Sequence, residues 1–374
     1  MTKITLLLFI LFCVDTMAQT FEPIDVIISD TTVSIPDPEF SNTLNKMCFY
    51  DPSGLWVCDV DPNTGNLLFE NGKQTLIDST VSIYHGDVLS WQGPEWAESA
   101  NGISIFYTDS LETNQDFQIS KAYQNGYLWQ HNPLANTATA SLKNTTQSSK
   151  YENVGILYKK NYAALECFRF ENNPATEHCF PTTQGNGGRW AIDTSGFTYI
   201  KKKQGIGQVH FFNTTNNTAS IITTDAYNKS QSYMIKSSEY NNKFIVWCQA
   251  NEATTNNIYV YKREQGTWSK IDTIRPPSSL PYIVSPEPFK WNGKSYIVMQ
   301  MSLYPQNNHS NFTPDEIWIA SIEKNNRLYR KISTTATHRK IDPEIYLTPT
   351  GPVIYYSEVR NGKYILHKCS TGLH

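Results

Sequence analysis

Four short segments of the 374-residue chain place a proline directly before a glutamate: Asp37-Pro38-Glu39, Gly93-Pro94-Glu95, Ser285-Pro286-Glu287 and Asp342-Pro343-Glu344. An acidic group repeated in one local setting suits two kinds of chemistry. Gathered on one rim, the glutamates form an acidic surface that binds a cation, an amine or a sugar. Alternatively, each accepts hydrogen bonds from backbone N–H groups of a neighbouring element, while the proline fixes the entry angle of the chain and needs no donor partner. The choice depends on the elements that carry the segments.

Their first residues stand 56, 192 and 57 positions apart, and the long gap equals four steps of 48. Three more units are therefore expected between 140 and 285. Each unit ends in an alternating strand, a polar turn and another strand. LWVCDVDPNTGNLLF, FQISKAYQNGYLWQ, ECFRFENNPATEHCF, QVHFFNTTNNTASII, NIYVYKREQGTWSKI and EIWIASIEKNNRLYRKI follow this pattern, and YILHKCSTGLH is a seventh that stops at its turn. Helical periodicity is absent. Four short strands in each of seven units predict an all-β fold, a single β-propeller over residues 19–374, with six blades plus extra hairpins as the alternative. The last unit lacks its fourth strand, and residues 25–34 form a lone strand ahead of the first. Pairing the two would close the ring and remove two sheet edges.

In such a ring the Pro-Glu segments open the innermost strands of blades 1, 2, 6 and 7. Glu39, Glu95, Glu287 and Glu344 then share one arc of the channel mouth. The opposite arc opens with YENVGIL (151–157), GGRWAI (187–192) and QSYMIK (231–236), which offer Glu152, Arg189 and Lys236. Glu39, Glu95, Glu287, Glu344 and Arg189 are the candidate ligand-binding residues. Trp91, Trp96, Trp190 and Trp291 lie near inner strands, where packing between blades is the main use for them.

The chain starts with Lys3, an apolar run from Ile4 to Val14 and a small-residue site ending at Ala18. This is the pattern of a signal peptide over residues 1–18, and no later stretch is long and apolar enough to span a membrane. A secreted or periplasmic, monomeric protein is expected. Net charge is −3, with no basic excess for nucleic acid. Beyond the leader there are six cysteines, an even number that permits disulfides in an exported chain. Cys48 and Cys58, and Cys167 and Cys179, each flank a turn and are the candidate pairs. None of the spacings is a zinc pattern, and neither a metal nor another cofactor is expected. A Gly-x-Ser-x-Gly elbow and a phosphate-cradling loop are both missing. His210 sits in an alternating strand as a packed residue, and Asp59 to Gly65 reads as a β-turn. Asn-x-Ser/Thr occurs at Asn144, Asn213, Asn216, Asn228, Asn308 and Asn311, where Asn- and Thr-rich turns produce it by chance.

GPEWAESANGISIFYTD resembles the repeat of TolB-like, WD40-like propellers, with Pro-x-Trp, a Gly turn and an Ile-x-Phe strand; LWVCDVDPNTG resembles that repeat's second half. The resemblance covers most of residues 35–374 and implies architecture rather than role. SPEPFKWNGKSYIVMQMS looks like the strand-turn-strand around the carboxylates of five-bladed glycoside hydrolases of the arabinanase/xylosidase type. That resemblance implies Asp37 or Asp342 as base and Glu287 as acid, set about 6.5–9.5 Å apart for inversion or about 5–5.5 Å for retention. The repeat count here is nearer seven than five. The leading expectation is a binding or scaffold propeller for a protein, peptide or glycan, and the alternative is a glycoside hydrolase.

Overall fold

The computed structural model describes residues 24–27, 34–51, 53–69, 74–79, 93–110, 117–134, 142–147, 154–160, 165–171, 173–181, 186–191, 196–305, 308–310, 312–334 and 337–374. The expected leader, Trp91 and Glu152 lie outside them. The described strands form seven antiparallel sheets, the blades of a β-propeller. Blade 1 runs from Glu39–Ser41 through Lys46–Asp51 and Gly54–Val60, with Leu67–Leu68 and Gln74–Asp78 both on its outer edge. The first strands of blades 2 to 7 are Glu95–Ser99, Leu142–Gln147, Asn186–Trp190, Asn228–Ser237, Tyr282–Trp291 and Lys340–Thr348. Each of these seven strands touches the first strand of the blade on either side, so together they line a closed ring around the axis.

Blade 7 consists of Lys340–Thr348, Gly351–Arg360 and Lys363–Ser370. Its fourth strand is Asp25–Ile27 from the start of the chain, antiparallel to Lys363–Ser370. The last unit therefore stops one strand short because the N-terminal strand completes it.

Blade-on-blade packing explains the composition. The described residues form seven apolar clusters, and each lies between two neighbouring blades. Tyr233, Trp247, Ile258, Ile297 and Met299 join blades 5 and 6. Met47, Phe49, Tyr346 and Tyr355 join blades 1 and 7. A middle strand is covered on both faces, so it reads as a near-continuous apolar run: eight of the nine residues of Lys294–Ser302 are buried. Trp96 packs edge-on against Trp129, Trp190 against Phe197, and Trp291 beside Ile354 and Cys369. These three tryptophans serve packing, as expected.

Two expectations need correction. The inner strand of blade 3 is Leu142–Gln147, and Gly155–Lys160 is its second strand. The sequence LKNTTQ has no apolar alternation, so the next apolar run was mistaken for the inner strand. The cysteine pairs also differ from each other. Cys167 and Cys179 face each other across Leu165–Phe170 and Asn173–Pro181 and are joined in a disulfide. Cys48 lies opposite Val57 and Cys58 opposite Met47. That offset of one residue sends the two side chains to opposite faces of blade 1, into different clusters, and neither is in a disulfide.

Candidate active site at the channel mouth

Five of the inner strands share one local device. A register shift marks an extra residue in blades 3 to 7, at Asn144, Gly187, Gln231, Ser285 and Asp342. The backbone is left-handed at Gly187 (φ 65°), Gln231 (41°), Ser285 (41°) and Asp342 (47°), and also at Asp37 (48°) in blade 1. This is a β-bulge, which bends the strand and re-aims the side chains beside it. The proline that follows in blades 1, 6 and 7 lacks a donor where the ladder is already interrupted. A left-handed residue directly before proline is unfavourable, and such strain collects at functional sites.

Two residues beyond each of these positions, and beyond Gly93 in blade 2, lies an equivalent position in every blade. Going round the ring it is Glu39, Glu95, Thr146, Arg189, Tyr233, Glu287 and Glu344. These residues pair with Cys48, Phe106, Ile156, Thr198, Trp247, Val298 and Tyr355 of the second strands. The four glutamates thus occupy the contiguous arc of blades 6, 7, 1 and 2. The bulge residues Asp37 and Asp342 add two more carboxylates to that arc.

Asp37, Glu39 and Glu344 each bring an oxygen within 4.8 Å of the other two. This all-oxygen set suits a hard divalent cation, one of the ligands expected from the sequence for an acidic rim. Asp37 also ties two blades together, because the Gly93 N–H of blade 2 donates to its carboxylate. Gly93 has no room for a side chain, since a Cβ there would lie 2.5 Å from Asp37 Oδ2 and 2.7 Å from the Asp37 carbonyl oxygen. The Trp96 indole N–H donates to the Glu39 carbonyl at 3.0 Å. The backbone-acceptor role expected of the glutamates is filled at this point by Asp37.

On the other side of the arc, the Tyr233 hydroxyl donates to Glu287 Oε1, and Arg189 Nε donates to the Tyr233 hydroxyl at 3.4 Å. The Arg189 guanidinium stands 6.0 Å from the Tyr233 ring centre. Arg189, Tyr233 and Glu287 therefore form a chain across blades 4, 5 and 6. Lys236 does not join it; it is exposed, and its ammonium lies 5.2 Å from the Phe244 ring.

Crowding of like charge in a low-dielectric channel sets the protonation of the site. The carboxyl groups keep partial contact with solvent but are surrounded by protein. Desolvation, with the Glu95 and Asp37 charges, pushes Glu287 up to about 7, although Arg189 and the Tyr233 hydrogen bond pull the other way. Desolvation pushes Asp342 up to about 8, with Asp37 and Glu287 adding to it and Arg339 opposing. Glu344 is also raised well above the usual carboxylate range, by desolvation and by Glu39, Glu287, Asp37 and Asp342. Desolvation disfavours the Arg189 cation, but Tyr233, Glu287 and Glu95 outweigh it and hold the charge. At neutral pH the mouth therefore holds several protons on carboxyl groups that would ordinarily be ionised.

Tyr233 and Arg339 were not singled out from the sequence. Tyr233 could have been found by aligning Gln231-Ser232-Tyr233 with Asp-Pro-Glu. Arg339 has no such signal. His210 is half-buried and rests on the Tyr199 ring, and Asp61 closes a turn with the Gly65 and Asn63 amides.

No family model matches the chain, and no curated protein matches it by sequence. Among solved structures, an oligogalacturonate lyase from Vibrio parahaemolyticus is similar at 9% identity with a TM-score of 0.58, covering 92% of this chain and 93% of its own. A dihydro-heme d1 dehydrogenase NirN structure is similar at 11% identity and TM-score 0.50, covering 90% and 66%. TolB from Acinetobacter baumannii is similar at 11% identity and TM-score 0.43, covering 72% and 64%. The chain thus spans about two thirds of the length of the last two. At these identities the similarity of the first two structures bears on the fold alone.

Proposed function

We propose that this chain is an exported binding propeller whose acidic channel mouth holds a ligand rich in hydrogen-bond donors: a glycan, or a peptide or protein segment presenting ammonium groups. One observation carries the reading. Six carboxylates from four adjacent blades, Asp37, Glu39, Glu95, Glu287, Asp342 and Glu344, act on one another at one end of the ring, and three of them are pushed up by burial and mutual repulsion. Such a cluster costs the fold stability, and a donor-rich ligand offsets that cost. The leader pattern supports export, as does the Cys167–Cys179 disulfide, which belongs to an oxidising compartment. No helix among the described residues is long and apolar enough to cross a membrane.

A second reading, glycoside hydrolysis, is favoured by one specific feature. Glu287 at about 7 has the pKa that a general acid needs near neutral pH. Asp342 at about 8 stays protonated there and does not serve as a base, which leaves Asp37 for that role. Screening glycan and peptide arrays, followed by a hydrolysis assay on every glycan bound, separates the two readings. Binding without turnover supports the first. Turnover that Glu287→Gln abolishes supports the second, and turnover unaffected by that change removes Glu287 from the acid role.

A further inference from the structure

Arg339 stands in the connection that leads into the inner strand of blade 7, just ahead of the bulge residue Asp342. Its carbonyl accepts the Val359 N–H at 2.9 Å, which fixes its place at the mouth end of the blade. The side chain is half-buried, and its Nε is out of solvent with no hydrogen-bond partner. Among the described residues, the guanidinium donates no hydrogen bond and forms no ion pair. A partly buried arginine is ordinarily paired, because its donors lose water without replacement otherwise. The terminal nitrogens, unlike Nε, keep contact with solvent, so their donors are open to a ligand.

The neighbouring groups are committed elsewhere. Three titratable groups feel the Arg339 charge: Asp342 on the inner strand, and Asp315 and His309 from blade 6. Asp315 Oδ2 accepts from the Gln300 amide at 2.8 Å and the Lys340 N–H at 3.1 Å. Its Oδ1 is buried without a partner, and the guanidinium does not reach it. His309 Nε2 lies 2.8 Å from the Tyr304 carbonyl, which can only accept, so Nε2 carries the ring proton. Burial, with the Arg339 charge, holds this histidine below its ordinary pKa. Lys340 is turned away, donating to the Asp315 carbonyl at 3.2 Å and interacting with Glu358 and Asp25. His338 faces Glu358 at 3.5 Å. A planar fork of donors is thus left without a protein acceptor at the edge of the acidic arc. Carboxylate and sulfate groups present two oxygens at the spacing such a fork matches.

We propose that Arg339 is the anion-recognising residue of the mouth, holding a carboxylate or sulfate group of an acidic glycan whose hydroxyl groups donate to the carboxylates of the arc. The inference rests on the binding reading given above and names the ligand class within it. Arg339 and Asp342 act on each other, so the ligand has to present an oxyanion and hydroxyl donors within one small unit. A sugar acid or a sugar sulfate does this on a single ring. In a peptide, acidic and basic side chains at that spacing pair with each other instead.

A glycan array that sets uronate-containing chains beside their carboxyl-reduced forms, and sulfated chains beside their desulfated forms, tests this, with a peptide array in parallel. The unmodified protein binds the oxyanion-bearing member of a pair at least about tenfold more tightly, the effect of one hydrogen-bonded charge pair. The pair that shows the preference, uronate or sulfate, identifies the oxyanion. Arg339→Gln loses the preference, and Arg339→Lys, which keeps the charge without the fork, retains only part of it. Equal binding within every pair overturns the proposal, as does a preference that survives in Arg339→Gln. Retention of peptides and of no glycan overturns it too, while the binding reading stands; retention of nothing overturns both. If Arg339→Gln does not fold, the paired chains on the unmodified protein and on Arg339→Lys decide.

Discussion

Replacing Glu287 by glutamine should make the protein more stable at neutral pH and leave it no more stable in acid. The sign follows from the raised carboxyl, at about 7 in the channel against an ordinary 4.5. Below the ordinary value, folded and unfolded chains both carry the protonated form, and the shift has no effect. As pH rises, the unfolded chain ionises first, so the folded state loses stability until its own group ionises near 7. At pH 7 that loss comes to about 3 kcal/mol, and contact with channel water reduces it to about 2. Glutamine keeps an oxygen to accept the Tyr233 hydroxyl. It also removes a partner charge from Arg189, which returns about 1 kcal/mol of cost. The net expectation is a gain of about 1 kcal/mol at pH 7 that disappears near pH 4. Urea denaturation of both proteins at a series of pH values gives the difference directly. A variant less stable at pH 7, or a difference that does not vary with pH, would refute the reasoning.

Other outcomes follow from the same geometry. Gly93→Ala drives a methyl group into Asp37 and should cost about 1–3 kcal/mol while weakening ligand binding; a variant with unchanged denaturation midpoint and affinity contradicts it. Asp25→Ala removes an acceptor with four polar partners, so a loss of about 1–3 kcal/mol in chemical denaturation is expected. Reducing the Cys167–Cys179 bridge, which closes a loop with a separation of 12 residues, should lower stability by about 2–3 kcal/mol, measured as a drop in melting temperature. An unchanged melting curve after complete reduction would show that blade 3 does not depend on the bridge.

Much of the architecture was legible because short apolar runs separated by polar turns recur in every unit and because Pro-Glu recurs at blade starts. What escaped has physical reasons. The inner strand of blade 3, Leu142–Gln147, is polar, and an inner strand facing a channel has no need of an apolar stripe. The bulges were hidden because Asp37, Gln231, Ser285 and Asp342 adopt left-handed backbone without the glycine that usually signals it. The four glutamates stood out through their shared Pro-Glu setting, but the two aspartates at the bulges were seen only through a resemblance. Tyr233 went unnoticed because its equivalence to a glutamate lies in register rather than in residue type. The Cys48 and Cys58 pairing failed on a one-residue register that flanking a turn does not reveal.

The central claim is that the carboxylate arc is the binding surface. The most direct test takes a glycan or peptide retained on the arrays and titrates it against the unmodified protein and the Glu39→Gln/Glu344→Gln double variant. The expected result is an affinity at least about tenfold weaker in the variant, a loss of about 1.4 kcal/mol, with a melting temperature equal to or above that of the unmodified protein. Equal affinity in the two proteins, or no retained ligand for either, would contradict it.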